Sequence, residues 1–133
     1  MGRSHLVIGH GEIGTAMAEL LEADWIDLEE DSGGIKRKYD FVHICFPYDP
    51  EDPKSFDAAV KSAQITFSPR VVIIHSTIPI GTSDSLDCVH SPVRGVHPNL
   101  LEGLKTFVKF IGGGTEKERY AVAKEFADRG VTV

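Results

Sequence analysis

The sequence has 133 residues, and 41% of them are hydrophobic, which suits one domain with one hydrophobic core. Its 20 acidic and 14 basic residues give a formal charge of −6, and this balance disfavours a surface that follows nucleic-acid phosphates. No segment has the roughly 20 consecutive apolar residues of a membrane span, and residues 1–5 lead into a strand pattern, not a signal peptide. We therefore expect a cytoplasmic protein with one domain over residues 1–133 and neither nucleic-acid nor membrane partners.

Short apolar segments alternate with helical patterns along the chain, which is typical of βαβ units. Several of these segments are apolar throughout, as strands covered on both faces are. We predict an α/β fold with a doubly wound, mostly parallel sheet. The predicted strands are His5–Ile8, Trp25–Leu28, Phe41–Phe46, Val71–His75, Cys88–Ser91, Phe107–Ile111 and Val131–Val133.

Three helices are predicted from apolar periodicity and capping residues. The first covers about Glu12 to Glu22, and the second starts with Asp52 as N-cap before a proline. The third begins with a capping box at Thr115, which is followed three residues later by a glutamate. Thr82 is expected to cap a further short helix.

A glycine motif connects the first strand to the first helix. It reads G-x-G-x-x-G, and this placement is the one that a dinucleotide-binding, Rossmann-type fold requires. Gly9 would make the tight turn, Gly11 would let the backbone approach a pyrophosphate, and Gly14 would allow close packing of helix on strand. The predicted cofactor-binding residues of this loop are Gly9, His10, Gly11, Glu12, Ile13 and Gly14.

The same fold places an acidic residue at the end of the second strand, where it accepts hydrogen bonds from the adenosine ribose. Asp27 is in that place, and Glu29 and Glu30 are the alternatives if the strand ends later. A carboxylate repels a 2′-phosphate, so NAD is favoured over NADP as the cofactor. The basic run at 36–38 weakens this preference, because the loop could bring positive charge back.

Ligands of open parallel sheets bind beyond the carboxyl ends of the strands. Three polar segments follow predicted strands there, and they begin near Phe46, His75 and His90. Together they would surround the nicotinamide with hydroxyl, imidazole and guanidinium groups.

The sequence resembles the N-terminal domain of the UDP-glucose/GDP-mannose dehydrogenase family. The residues that carry the resemblance are Gly9–Gly14, Asp27, Cys45–Pro47, the Ser-Thr-x-Pro-x-Gly-Thr stretch at 76–82, and Ser91–Pro92. The resemblance implies an NAD-binding Rossmann domain of the 6-phosphogluconate dehydrogenase-like superfamily. It also implies that the stretch at 76–82 borders the nicotinamide, with Thr77 as a cofactor or substrate contact and Phe46 and Pro47 as cofactor contacts.

Two departures from that family concern the chemistry. Val93 stands where the family has a glutamate after Ser/Asn-Pro, and the domains that carry the family's catalytic cysteine and lysine are not among these 133 residues. We therefore expect no complete four-electron oxidation of a sugar nucleotide by this chain alone. The connection between the second and third strands is also too short for a full helix.

A shorter resemblance links the segment at 94–98 to the Gly-Gly-His-Pro segment of prephenate dehydrogenases. It implies that His97 is an acid/base group, paired with Ser76, and that Arg94 is available for a carboxylate. Arg94 and Asn99 are the predicted substrate-binding residues, and Ser76, Thr77 and His97 are the predicted catalytic residues. An ordinary surface position is the alternative for Arg94.

The other histidines and the cysteines suggest less chemistry. We expect His5 to be solvated near the terminus and His43 to be a hydrogen-bonded strand residue, while His75, His90 and His97 lie on the catalytic rim. No HxH or HxxxH spacing supports a metal site. The two cysteines lack a CxxC spacing, and we expect two free thiols.

The sequence leaves two main functions open. One is an NAD-dependent oxidoreductase domain of the nucleotide-sugar dehydrogenase kind, acting on a sugar nucleotide or hydroxy acid and completed by a homodimer or a partner subunit. The other is a module that binds or senses NAD without chemistry. A prephenate dehydrogenase-like enzyme is the lesser alternative.

Overall fold

The computed structural model describes residues 3–93, 101, 103–104 and 109–133. In these parts of the chain, six strands form one sheet in the order β2-β1-β3-β4-β5-β6. The first five strands are parallel, and β6 pairs antiparallel with β5. This confirms the predicted mostly parallel α/β fold. The strands are His5–Ile8 (β1), Asp24–Ile26 (β2), Phe41–Ile44 (β3), Val71–Ile74 (β4), Val89–His90 (β5) and Gly112–Gly113 (β6).

Four helices have bounds that lie wholly within the described residues: Glu12–Leu21 (α1), Pro53–Phe67 (α2), Thr82–Ser85 (α3) and Glu116–Ala127 (α4). The predicted capping box is present, because Thr115 Oγ1 accepts from the N–H of Glu118 and the Glu118 carboxylate accepts from the N–H of Thr115. No helix in the described ranges is long and apolar enough to cross a membrane.

Two of the predicted caps differ in detail. Asp52 is the N-cap of α2, as predicted, yet its carboxylate accepts from the Ser55 hydroxyl at 2.7 Å and not from a helix N–H. Thr82 is the first residue of α3, and Gly81 is its N-cap with a left-handed φ of 91°. The prediction that Thr82 caps this helix was therefore wrong, since the glycine alone adopts the required backbone.

The core has two layers because side chains alternate between the faces of the strands. On one face Val7 and Ile73 pack with Met17 of α1 and Phe126 of α4. The opposite face carries Leu6, Val42 and Ile74, which pack with Phe56 and Val60 of α2. Helices therefore cover both faces of the sheet, as the apolar strands predict.

The observed strands are shorter than predicted at their carboxyl ends. β2 ends two residues earlier than expected, β3 ends at Ile44 and β4 at Ile74. The N–H groups of Cys45 and His75 still bond to the neighbouring strands, at 2.9 Å each, and the ladders stop there. Val131–Val133 is not a strand, although the N–H of Lys109 donates to the carbonyl of Thr132 at 2.7 Å. Of the strand predicted at 107–111, residues 109–111 are not a strand either, and β6 follows them.

Residues 27–40 run from β2 across to β3 without a helix, as their length predicts. Tyr39 anchors this connection: its hydroxyl donates to Asp24 Oδ2 at 2.7 Å and accepts from the N–H of Lys36 at 2.9 Å. Its buried ring meets Phe67 edge to face. The strand order reverses between β1 and β3, and such a switch point opens a crevice at the carboxyl ends of the strands.

Candidate functional site

A cleft of about 430 Å³ lies at this switch point. It is bordered by the start of α1 and by the segments that follow β3 and β4. Its lining residues are Gly11, Glu12, Ile13, Cys45, Pro47, Tyr48, Ser76 and Thr77. The structure therefore brings together residues that the sequence predicts from three separate motifs.

The glycine loop packs α1 tightly against the sheet. A Cβ atom on Gly14 would overlap the carbonyl oxygen of Gly9, so no larger residue fits there without moving the helix. Gly9 itself has a φ of 98°, and its N–H donates to the carbonyl of Ile26 at 2.8 Å. These contacts are the close helix–strand packing and the tight turn that the motif predicts.

Gly11 is the N-cap of α1, and its surroundings differ from those of the other two glycines. Its φ is −79°, and an added Cβ would meet no atom within 4 Å. The open space lies at the positive end of the helix dipole, where backbone N–H groups suit an anion. Glu12 is exposed at this end, and Ile13 packs against the core below it.

His10 has a contact that the sequence does not reveal. Its ring stacks on Trp25 of β2, with centroids 3.7 Å apart and an interplanar angle of 4°. The hydroxyl of Thr15 also donates to the His10 carbonyl at 3.3 Å. His10 therefore holds the glycine loop against β2 through its ring.

Asp27 is the first residue beyond β2, beside the point where Gly9 bonds to Ile26. Its N–H donates to the carbonyl of Glu30 at 2.8 Å, and its carboxylate accepts from the N–H of Leu28 at 2.9 Å. The resulting turn lines a depression of about 460 Å³ whose other wall residues include Glu29. All three acidic candidates thus lie around one depression, and Asp27 is the nearest to the strand end.

The opposite side of the cleft is formed by the ends of β3 and β4. Ser76 is buried, and its hydroxyl donates to the carbonyl of Phe46, which ties the two strand ends together. The Ser76 carbonyl in turn accepts from His90 Nε2 at 3.0 Å, with that nitrogen protonated. Pro47 and Thr77 are exposed at the mouth of the cleft. Of the two hydroxyls predicted to take part in catalysis, that of Thr77 is the accessible one.

The structure describes only some of the remaining predicted site residues. Arg94, His97 and Asn99 lie outside the described residues. His75 is only 1% exposed, so the prediction that it lies on the rim was wrong. His90 is half-buried beside Ser76. The described residues contain no cluster of side chains that could hold a metal ion.

A buried row of histidines crosses the sheet beneath α4, and sequence reasoning missed it. His5 Nδ1 lies 2.9 Å from His43 Nε2, and His43 Nδ1 lies 2.8 Å from His75 Nε2. The prediction of a solvated His5 was wrong, because its side chain stacks on Phe41 and is 5% exposed. All three rings lie on the same face of adjacent strands, which was the available signal.

Burial changes the acid–base behaviour of this face. It lowers the pKa of His43 and His75 well below the ordinary histidine value, because no water solvates the imidazolium. Burial also lowers the pKa of Lys109 to about 7 and raises that of Cys45 to about 12. The Cys45 thiol, although it lines the cleft, is therefore a poor nucleophile at neutral pH.

The sheet order, the two-sided helical cover and the glycine loop together define a Rossmann-type α/β domain. Solved structures with the same fold include a UDP-D-ManNAc dehydrogenase from Pyrococcus horikoshii, with a TM-score of 0.76 and 17% identity over 96% of this chain and 45% of that one. A UDP-N-acetyl-mannosamine dehydrogenase from Staphylococcus aureus has a TM-score of 0.75 and 18% identity, with the same coverage of both chains.

A third similar structure is the pyrroline carboxylate reductase of Plasmodium falciparum with NADP bound. Its TM-score is 0.62 and its identity 14%, over 99% of this chain and 57% of that one. No protein-family model and no curated protein sequence matches the chain. The chain thus shares its fold with these oxidoreductases and spans about half of their length.

Proposed function

We propose that this domain binds a nicotinamide dinucleotide and serves as the cofactor domain of an oxidoreductase similar to nucleotide-sugar dehydrogenases. The observation that carries the proposal is the geometry of the glycine loop. Gly14 allows α1 to pack against Gly9, while Gly11 leaves open space at the helix N-terminus. A pyrophosphate of charge about −2 would find backbone N–H donors and the positive helix end there. The similar fold of NADP-bound and nucleotide-sugar enzymes supports the same proposal.

NAD is the proposed form of the cofactor. Asp27 directly follows β2 next to the glycine loop, and Glu29 and Glu30 surround the same depression. Three carboxylates around the place of the adenosine ribose would accept hydrogen bonds from its hydroxyls. The same negative charge would repel a 2′-phosphate, so NADP should bind more weakly.

The substrate would lie at the other end of the cleft, beside Thr77 and Pro47. Thr77 is exposed there, which suits a contact to the nicotinamide or to a substrate hydroxyl. Ser76, Phe46 and the predicted residues Arg94, His97 and Asn99 would complete the reacting end. A small anionic substrate, a sugar nucleotide or a hydroxy acid, is the class we propose.

A second candidate is a module that binds NAD without chemistry. The buried Ser76 hydroxyl already donates its proton to the Phe46 carbonyl, and Cys45 is a poor nucleophile. Among its described lining residues, the cleft offers the hydroxyls of Tyr48 and Thr77 and the carboxylate of Glu12, and no histidine that could act as a base. Hydride transfer from any sugar nucleotide or hydroxy acid to NAD, seen as formation of NADH, would exclude this candidate.

Self-association and location are further proposals. Phe110 is 58% exposed, Tyr120 73% and Val133 46%, and all three line one depression beside α4. A homodimer or a partner subunit would cover this apolar surface. Sedimentation as a monomer at high concentration would contradict the dimer. The two cysteines, Cys45 and Cys88, are buried thiols, which suits the reducing cytoplasm.

The test of the proposed function is a calorimetric titration of the protein with NAD and with NADP. Gly11→Val should abolish binding and keep the fold, because its side chain would fill open space that the pyrophosphate needs. Thr66→Val, an exposed change on α2, is the matched control. The chain has one tryptophan, and its stacking on His10 makes its fluorescence a second readout of the loop. No binding of either nucleotide to the unaltered protein would overturn the proposal.

A further inference from the structure

The buried histidine row ends at an acceptor on each side. At one end His75 Nδ1 lies 3.0 Å from the carbonyl oxygen of Ser91. At the other end His5 Nε2 lies 2.8 Å from Glu125 Oε1 of α4. His43 bonds to both of the other rings. Four hydrogen bonds therefore connect a backbone carbonyl to a carboxylate through three imidazoles.

These four bonds need four hydrogens, and three neutral imidazoles carry only three. Because a carbonyl can only accept, His75 must donate from Nδ1 and accept at Nε2. His43 must then donate from Nδ1 in turn, and so must His5. The Nε2 of a neutral His5 would consequently have no hydrogen. If Glu125 were ionised, the lone pair of this nitrogen would face a lone pair of Glu125 Oε1 at 2.8 Å.

We propose that the His5–Glu125 pair is a buried proton-binding site, which holds one proton more than three neutral histidines and a carboxylate would. The proton lies in the bond between His5 Nε2 and Glu125 Oε1, and it fastens α4 to β1. Both partners are largely buried, with 5% and 9% of the residue exposed. Release of the proton leaves an unpaired contact between two acceptors, so α4 is held less firmly.

The groups around the pair determine which partner carries the proton. Burial lowers the pKa of His5, and the hydrogen bond and charge of Glu125 oppose that effect. Arg129 of α4 lies 3.4 Å from the same carboxylate oxygen, and Asp40 before β3 also acts on His5. The hydrogen count is the same whichever partner carries the proton, because a neutral acid beside an imidazole and an ion pair both place one hydrogen in this bond.

The other end of the row is shielded from this exchange. Lys109 donates to the Ser91 carbonyl at 2.8 Å, and His90 acts on His75 from β5. Burial is the largest cause that disfavours a positive charge on His75, and both groups add to it. The Phe126 ring packs edge to face with the rings of His43 and His75, and its centroid lies 6.2 and 5.9 Å from theirs. The excess proton therefore stays at the His5 end.

The pair has a route to solvent. Glu125 lines a surface depression of about 520 Å³ together with Arg3, Lys124 and Arg129. The proton can therefore exchange with solvent without unfolding of the domain. Because the site lies at the amino end of β1, it is separate from the cleft at the carboxyl ends, and it does not depend on the proposed cofactor.

The direct test counts the hydrogens by nuclear magnetic resonance at pH 7.5, with histidine ¹⁵N and glutamate ¹³C labels. We expect His43 and His75 as neutral Nδ1–H tautomers. His5 should be doubly protonated, or it should be an Nδ1–H tautomer beside a protonated Glu125 carboxyl. A neutral His5 beside an ionised Glu125 would overturn the proposal.

The variant Glu125→Gln gives an independent test. The glutamine amide donates to His5 Nε2 without an added proton, so the row stays intact and His5 becomes neutral. Above about pH 6.5 the unfolded chain has released the histidine proton, while the folded unaltered protein keeps it. Only the unaltered protein loses this proton on unfolding. The unfolding constant of the variant, divided by that of the unaltered protein, should therefore fall about tenfold per pH unit from pH 7 until the folded protein releases the proton.

Glu19→Gln, an exposed change on α1, is the matched control and should give a ratio independent of pH. A ratio for Glu125→Gln that is equally flat between pH 7 and 9, while the spectra show His5 singly protonated and Glu125 ionised, would overturn the proposal. If Glu125→Gln failed to fold, the hydrogen count in the unaltered protein would still decide the question.

Discussion

Lys109 donates from Nζ to the carbonyl oxygen of Ser91 at 2.8 Å, and the ring of Phe126 lies 5.2 Å from the same nitrogen. The residue is only 4% exposed. Burial removes the water that would solvate the ammonium group, and for this reason the pKa of Lys109 falls to about 7.

This contact predicts how stability depends on pH. Between about pH 7 and 10 the unfolded chain holds a proton on Lys109 that the folded protein has released, so the contribution of Lys109 to the free energy of unfolding rises with pH in that window. Lys109→Met should remove the corresponding fall in the unfolding constant, which is about tenfold per pH unit. Denaturant unfolding at several pH values measures it, with Lys117→Met on the exposed side of α4 as control. An unchanged pH dependence in Lys109→Met would contradict the prediction.

Gly14→Ala should damage both the fold and the cofactor site. The added Cβ overlaps the Gly9 carbonyl, and the shift of α1 should cost about 3 kcal/mol in the free energy of unfolding. Gly11→Ala is the control, since its Cβ meets open space and its φ of −79° suits alanine. Urea unfolding compares the two variants. Equal stability of both would mean that helix and strand are not in close contact.

Asp27→Asn should change the preference between the two nucleotides. Loss of the carboxylate weakens its hydrogen bonds to the ribose and removes a repulsion against a 2′-phosphate, so the ratio of the Kd values should move about tenfold toward NADP. Calorimetry with each nucleotide measures the ratio. Glu29→Gln and Glu30→Gln are the controls, and a larger effect in either one would transfer the role to that residue.

Phe126→Ala tests the packing of α4 on the histidine face. The ring is fully buried and meets His43 and His75 edge to face, so its loss should cost about 3 to 5 kcal/mol. Ile65→Ala is the control, because this side chain is 80% exposed on α2 and should change stability by less than about 0.5 kcal/mol. Thermal or urea unfolding gives both values. A small loss for Phe126→Ala would show that α4 is only loosely attached.

The local patterns of the sequence predict the elements and the cofactor loop well. Apolar periodicity, the Thr115 capping box and the glycine motif depend on neighbours a few residues apart, so they can be interpreted without a fold. β1 has the predicted bounds, and α1 begins at the predicted residue. Strand ends were less predictable, because they depend on where the neighbouring strand stops pairing.

Contacts between distant residues were not predictable from these patterns. The Ser76 hydroxyl belongs to the predicted motif, yet its bond to the Phe46 carbonyl connects two separate strand ends. The stacking of His10 on Trp25 likewise joins the loop to a strand fifteen residues later. Such pairs depend on sheet order and register, which no local pattern contains.

The sequence by itself therefore determines the alternation of strands and helices and the glycine loop that opens α1, since both follow from short-range spacing. The tertiary structure alone decides that His5, His43 and His75 form one hydrogen-bonded row between Ser91 and Glu125. These residues come from four strand regions and one helix, and only the pairing of parallel strands in this order places them on one buried face. Burial then changes their chemistry, because the charge of a side chain depends on the water that the fold removes.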